Sequence, residues 1–216
     1  MPTERFLRLP TEKKEGIRMA ALREFMRVPP EEASINRIIR DAGISRGSFY
    51  TYFEDKEELL GWLIEEQMEG HRQFYLKAID DYRGDIWQVL EKSVEDSIKR
   101  AESSGIIQVL GNMIRSGCLS EYFQKCVNSG PERDRIMDEK NLRDFTYMYE
   151  HMDRSLCAVS KEEFFDLMEI HMMVLMLTLK RFFQHGLSEE KVMEYYRRHM
   201  RLVRYGACPG GQNLNK

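Results

Sequence analysis

The chain has 216 residues, 42% of them hydrophobic and 32% charged, a balance that gives a globular core and excludes an intrinsically disordered chain. The 14 glycines and 6 prolines fall below the average combined usage of roughly 12%, which favours long helices over the turn-rich sandwiches and barrels. A net charge of −3 gives no bulk electrostatic footprint, so a nucleic-acid role has to rest on a local site.

Four cysteines, Cys118, Cys126, Cys157 and Cys208, are far apart with no CxxC pair, as expected of reduced thiols in a cytoplasmic protein. No stretch has the length of a signal peptide core, and the longest uncharged apolar run, Met172 to Leu179, is far short of the ~18 residues of a membrane span. His151, Cys157 and His171 lack zinc spacing, and no cofactor or metal site is expected.

The first helix is expected from Thr11, after Pro10, with Ile17, Ala20, Ala21 and Phe25 on one face and Pro29-Pro30 as its stop. Ser34 can cap a second, short helix carrying Ile35, Ile38 and Ile39, which Gly43 ends. Ser45 can cap a third through about Thr51. Asp55 and Glu58 then read as a capping box opening a fourth helix to about Ala78. Further helices are expected over Ile86 to Ala101, Ile106 to Val127 and Glu132 to Met152. Ser160 with Glu163 opens another to His185, Gly186 ends it, and Ser188 caps a last one to Tyr205. The fold class is all-α.

Between Ser34 and Phe53 a helix, a tight turn at Gly43 and a second short helix have helix-turn-helix spacing. In that motif the second helix enters the major groove. Ser45, Arg46, Ser48, Tyr50, Thr51 and Tyr52 put hydrogen-bonding groups on one short segment, and Arg46 can fork onto a guanine. Gly47 lets backbone approach the duplex, Lys56 can hold a phosphate at the start of the next helix, and three arginines outweigh Asp41 in this stretch. Phe49, Phe53 and Ile44 read as core.

Ala20-Ala21-Leu22 with Phe25, Ser34-Ile35 with Ile38, and the intact AGxSxGxxYxYFxxKExL spacing from Ala42 to Leu59 resemble the DNA-binding domain of the TetR family of transcriptional regulators. The ordered resemblance covers about Ile17 to Leu60. It implies a homodimer that binds double-stranded operator DNA and answers to a small ligand. By position it assigns DNA contacts to Ser34, Ser45, Arg46, Gly47, Ser48, Tyr50, Thr51, Tyr52 and Lys56. The chain departs from the family pattern at Pro29-Pro30, where a glycine-containing turn is frequent, and at Ile39, where alanine is frequent. The expected organisation is a reading head over residues 1–54, a helical effector-binding and dimerisation domain over 55–205, and a loose tail over 206–216.

Lys161 to His185 is apolar on nearly all sides in its middle, so it is either the centre of a large core or packs one side on its own domain and the other on a partner, the second being favoured. The interface assigned to it comprises Leu175, Leu179, Phe182, Phe183, Val192, Tyr195 and Tyr196. A pocket for an amphipathic or aromatic effector is expected among Met113, Cys118, Tyr122, Phe145, Met148, Tyr149, Met152, Phe164, Met168 and His171. His171 also reads as a satisfied core histidine, and the run Arg197, Arg198, Arg201 and Arg204 as cations that suit a helix C-terminus and can pair with acids across a dimer. No P-loop, HExxH, GxSxG or GxGxxG is present, so the chain does not read as an enzyme. The leading reading is a ligand-released repressor. The alternative is a DNA-binding protein of the same fold controlled by a protein partner.

Overall fold

A computed structural model describes residues 2–101, 103–117 and 139–206. Among them the chain is helical throughout, with no strand: α1 (Glu4–Leu7), α2 (Thr11–Arg27), α3 (Ile35–Asp41), α4 (Arg46–Tyr52), α5 (Lys56–Asp81), α6 (Ile86–Lys99), α7 (Gly105–Ser116), α8 (Glu139–His151), α9 (Lys161–His185) and α10 (Glu189–Tyr205). The expected all-α class holds. No described helix is long and apolar enough to cross a membrane. The chain divides into two compact units, Met1–Gln73 with Arg100–Ser129, and Phe74–Lys99 with Gly130–Lys216.

The first unit is built on an aromatic and aliphatic core of Phe6, Ile17, Phe25, Ile38, Phe49, Phe53 and Leu59, none of which reaches solvent. Its helices start where side chains satisfy the orphan N–H groups of a first turn. The Ser45 hydroxyl accepts from the Ser48 N–H at 3.0 Å and opens α4. The Asp55 carboxylate accepts from the Glu58 N–H at 2.7 Å ahead of α5. The return bond of that expected capping box goes elsewhere, because the Glu58 carboxylate takes the Glu54 N–H. Ser34 stands at the N-cap of α3, but its side chain makes no cap bond. The Glu24 carboxylate on α2 accepts the Ser34 N–H instead, at 2.9 Å. Gly43 takes φ +64°, the left-handed conformation that lets α3 turn sharply into α4.

Two features of this unit depart from the sequence reading. The chain ahead of Thr11 forms a short helix, α1, capped by Thr3 and held by Phe6, which packs on Phe53 and Trp62 at ring distances of 4.6 and 4.8 Å. The helix expected over Ile106 to Val127 ends at Ser116, because Gly117 takes φ +82° as its left-handed C-cap. This helix, α7, packs on α2, where the Asn112 amide donates to the Phe25 and Met26 carbonyls at 3.2 and 2.7 Å. Those carbonyls lie in the last turn of α2, which has no intrahelical donors for them.

In the second unit α9 packs on α10, α6 and α8. The expected capping box is complete: Ser160 Oγ accepts from the Glu163 N–H and the Glu163 carboxylate takes the Ser160 N–H. Gly186, at φ +58°, ends α9 as expected, and α10 runs from Glu189 to Tyr205, where Ser188 stands at the N-cap but, unlike the expected cap, makes no side-chain cap bond. The connection between α5 and α6 turns at Gly84, where φ is +81° and the carbonyl accepts from the Asp153 N–H at 2.8 Å. Arg197 pairs with Glu91 and Glu95 on α6, which accounts for one cation of the basic run within the chain itself.

Candidate nucleic-acid interface

α4 is seven residues long and buries only Phe49 and Tyr52. These aromatic anchors fix the helix on the core and leave the rest of its surface polar. Arg46 and Tyr50 stand four apart, on one face. The Arg46 guanidinium donates to Asn36 Oδ1 on α3 at 2.8 Å and to the Tyr50 hydroxyl at 3.3 Å, and its carbon lies 5.5 Å from the Tyr50 ring centroid. Two of the five guanidinium N–H groups are thereby committed, and the others are available to a base edge or phosphate. Tyr50 is 46% exposed, with its ring edge-on to Phe49 at 5.3 Å.

The adjacent face carries Gly47, Ser48 and Thr51. A Cβ built on Gly47 meets only Ser45 Oγ, at 3.9 Å, an ordinary contact. Among the described residues nothing therefore requires glycine at 47. The absent side chain leaves this part of the helix surface open to a close approach from outside. The Ser45 and Ser48 hydroxyls lie 2.9 Å apart, and Thr51 Oγ1 donates to the Gly47 carbonyl at 2.9 Å.

The other expected contacts are placed differently. Tyr52 is 8% exposed, with its ring 6.0 Å from Phe6, so it serves the core first and offers only an edge. Lys56 Nζ donates to the Glu31 and Ala33 carbonyls, closing the Pro29-Pro30 turn onto the start of α5 and leaving one N–H for a phosphate. Ser34 is half-buried beside this connection. The structure thus gathers Ser45, Arg46, Gly47, Ser48, Tyr50 and Thr51 on α4 and its cap, with Ser34 and Lys56 at the flank. Sequence reasoning passed over Asn36 and the α1 arm. Thr3 ahead of Glu4, and Phe6 and Leu7 among charged neighbours, were the available signals.

The residues expected around an effector are divided between the units. Met113 lies on α7 in the first unit, whereas Phe145, Met148, Tyr149, Met152, Phe164, Met168 and His171 belong to the second. Cys118 and Tyr122 lie outside the described residues, as do Cys126 and Cys208. Met148, Met152, Phe164 and Met168 are buried, and Tyr149 packs on Phe164 at a ring distance of 5.7 Å. Cys157 is buried, and burial raises its thiol pKa, which fits an inert structural thiol.

His171 is fully buried and sits in a polar cluster. Its Nε2 is 2.7 Å from the Tyr75 hydroxyl and 3.2 Å from Ser93 Oγ, and its Nδ1 is 3.0 Å from the Tyr196 hydroxyl. Ser93 donates to the Leu90 carbonyl at 2.8 Å and accepts from Tyr75 at 3.2 Å. One proton arrangement serves all these contacts: Nε2–H donates to Tyr75 and Ser93, and Tyr196 donates to Nδ1. Burial raises both tyrosine pKa values, which keeps the hydroxyls protonated as donors.

Five residues of the expected interface, Leu175, Leu179, Val192, Tyr195 and Tyr196, are buried within the chain's own second unit. Phe182 and Phe183 are half-buried. The large apolar side chains that α9 and α10 expose are Met173, Leu177, Leu202, Val203 and Tyr205. Among the described residues no cluster of His, Cys, Asp and Glu could hold a metal ion.

Residues 17–61 match the family described as bacterial regulatory proteins, tetR family, and residues 85–207 match the tetracyclin repressor-like C-terminal domain. An HTH-type transcriptional regulator of Staphylococcus aureus strain MRSA252 is 22% identical over 163 residues, 68% of this chain and 88% of that protein. Another, from the bovine strain RF122 of the same species, is 29% identical over 84 residues, and the match spans only 45% of its length and 39% of this chain. A TetR-family transcriptional regulator from Pectobacterium atrosepticum has a similar fold, with a TM-score of 0.58 at 17% identity over 94% of this chain and all of that one. With one family match over the reading head and the other over more than half of the sequence, the chain belongs to the TetR family of DNA-binding transcriptional regulators.

Proposed function

We propose that this regulator is a homodimeric repressor that binds a two-fold symmetric operator and is released by a small ligand in its second unit. The observation that carries the DNA half of this reading is the polar surface of α4. Arg46 is held by Asn36 and Tyr50, next to a glycine that nothing among the described residues requires. Arg46 would read a base edge, Ser34, Ser45, Ser48 and Lys56 would hold phosphates, and Gly47 would let the helix backbone approach the duplex.

The exposed apolar side chains support dimerisation. Met173 and Leu177 are four apart on α9, and Leu202 on α10 is also exposed. A second copy covering them by a two-fold would set two reading heads at half-sites about 34–36 Å apart, or a multiple of that.

The effector half of the reading rests on His171. Phe164, Met168 and His171 recur at helical spacing on α9, so an apolar wall runs into a hydrogen-bonding cluster. That wall suits an amphipathic or aromatic molecule with one polar group. Release would follow if the ligand favours a conformation in which the two heads no longer fit their half-sites. Asn112, holding the end of α2, offers a route by which a shift of α7 reaches the head. A second reading has its own support: the His171 cluster is hydrogen-bonded by the chain's own groups, as in a core that takes no ligand and answers to a protein partner.

Selection from random duplex DNA tests the proposal. Enrichment of a two-fold symmetric site, followed by release on adding a compound from a library of amphipathic and aromatic molecules, is the expected result. No enrichment by protein refolded free of ligand overturns the operator reading. Enrichment with release only by a protein fraction supports the partner-controlled alternative.

A further inference from the structure

The reading helix has a second polar face, which is flanked by the short helix ahead of the family-matched head. Arg5 and Leu9, with Gly47, Ser48, Thr51 and Tyr52 of α4, line a shallow open cleft. The arm that carries Arg5 is moored to the last turn of α4. Thr3 Oγ1 donates to the Thr51 carbonyl at 2.8 Å, and the Thr3 N–H donates to the Tyr52 carbonyl at 3.1 Å. Phe6, next to Arg5, is fully buried against Tyr52, Phe53 and Trp62.

The chemistry of the cleft suits an anion. A guanidinium offers five N–H donors and no acceptor, and the Ser48 hydroxyl adds another donor. Among the described residues Arg5 has no carboxylate within ion-pair distance, whereas its neighbour Arg8 is held by Glu4 at 2.7 Å. The Gly47 side of the cleft carries no side chain. Leu9 and the Tyr52 edge give it an apolar floor.

The position suits one anion in particular. A helix in the major groove, about 12 Å wide, has base edges ahead of it and a sugar-phosphate backbone on each flank. Arg46 and Tyr50 form one face with Asn36. Gly47, Ser48 and Thr51 form the next face round, with Arg5 beside them.

We propose that the α1 arm is part of the DNA interface, with Arg5 and Ser48 gripping a backbone phosphate in the cleft beside Gly47. The proposal rests on the DNA-binding reading of α4 and extends it to a segment outside the matched residues 17–61. Arg5 positions the head on the duplex and carries no base information.

The test uses the full chain and its selected operator, with binding measured across a range of salt. Each neutralised phosphate contributes about 0.9 to the slope of log K against log [salt]. Arg5→Ala is expected to lower that slope by about one per protomer. Its affinity deficit should shrink as salt rises, and the ranking of single-base-pair operator variants should be unchanged. Arg5→Lys should restore most of the slope. Thr3→Val, which removes both the hydroxyl bond to Thr51 and the cap of α1 without changing charge, should lose part of it. The proposal is overturned if Arg5→Ala keeps the parent's slope, or if it changes base preference at one position. Failure of the parent itself to bind DNA specifically would overturn the reading of α4 instead.

Discussion

Asn36 is expected to act on DNA recognition through Arg46, and a double-mutant cycle can isolate that effect. The Arg46 guanidinium is tied to Asn36 at 2.8 Å and to Tyr50 at 3.3 Å before any DNA is present. A guanidinium forked onto the right base is worth about 1–3 kcal/mol of discrimination. Fixing a long, rotamer-rich side chain at an interface costs about 0.5–1.5 kcal/mol. Asn36 removes part of that cost in advance by holding Arg46 in one conformation. Asn36→Ala should therefore raise Kd by up to about 12-fold per half-site at fixed salt. Discrimination should relax at the base pair Arg46 reads, and Tm should stay near the parent's. Arg46→Ala should cost more, about 5- to 150-fold, at that same base pair. The decisive quantity is the double variant. If Asn36 works through Arg46, Asn36→Ala costs little once Arg46 is alanine. Fluorescence anisotropy on the operator and its single-base-pair variants measures all four corners of the cycle. Additive losses would show that Asn36 touches DNA on its own account, and the positioning argument would fail.

Two predictions concern the frame that carries the sites. Glu24 is 5% exposed, and its hydrogen bonds from Arg27, reinforced by the Ser34 N–H, hold its carboxyl below the usual carboxylate range. A depressed folded-state pKa contributes stability above the unfolded value and loses it as pH falls through the folded one. Glu24→Gln should therefore cost about 1–3 kcal/mol by urea denaturation at pH 7 and much less at pH 3, and an equal deficit at both would refute this. At Gly84 an added Cβ would come within 2.5 Å of the Asp153 nitrogen and 2.6 Å of the His151 carbonyl oxygen, at a φ of +81°. Gly84→Ala should lower stability by at least ~1–2 kcal/mol, while Gly47→Ala should leave Tm near the parent's and impair DNA binding alone.

Several helix starts and stops were legible from the side chains that make them. Ser45, Asp55 and Ser160 each cap as their spacing implies, and Gly43 and Gly186 take the left-handed conformation that their places require. α1 was not legible because four residues show no period, and their order comes from Phe6 reaching an aromatic cluster some fifty residues on. Gly117 was ambiguous in the sequence, since a lone glycine is tolerated within a helix and becomes a stop only when its φ turns positive. The polar surface of α4 was legible as chemistry, but the division of labour on it was not. Whether Tyr52 faces the duplex or the core depends on where Phe6 lies, and whether Lys56 is free depends on the Glu31 and Ala33 carbonyls.

The same limit governs α9, and it yields a prediction that separates two surfaces on one helix. An apolar helix shows in its sequence that both sides are covered, and leaves open which side its own chain covers. Leu175 and Leu179 are 3% and 4% exposed within the chain, whereas Met173 and Leu177 are 54% and 48% exposed. The two pairs interleave along α9, so they face different ways. If a second copy covers the outer pair, Met173→Glu with Leu177→Glu should place charges in an apolar interface and release monomers at micromolar concentration. Each monomer should keep its helical circular dichroism, because no buried side chain has changed. Leu175→Ala should do the reverse, losing about 2–5 kcal/mol of stability from a cavity in the monomer's own core. Sedimentation velocity and denaturant melts on the same samples distinguish the two effects. A dimer that survives both glutamates would place the interface elsewhere. It would also remove the geometric basis for a two-fold symmetric operator set by this face, since the spacing of the two heads depends on which surfaces meet.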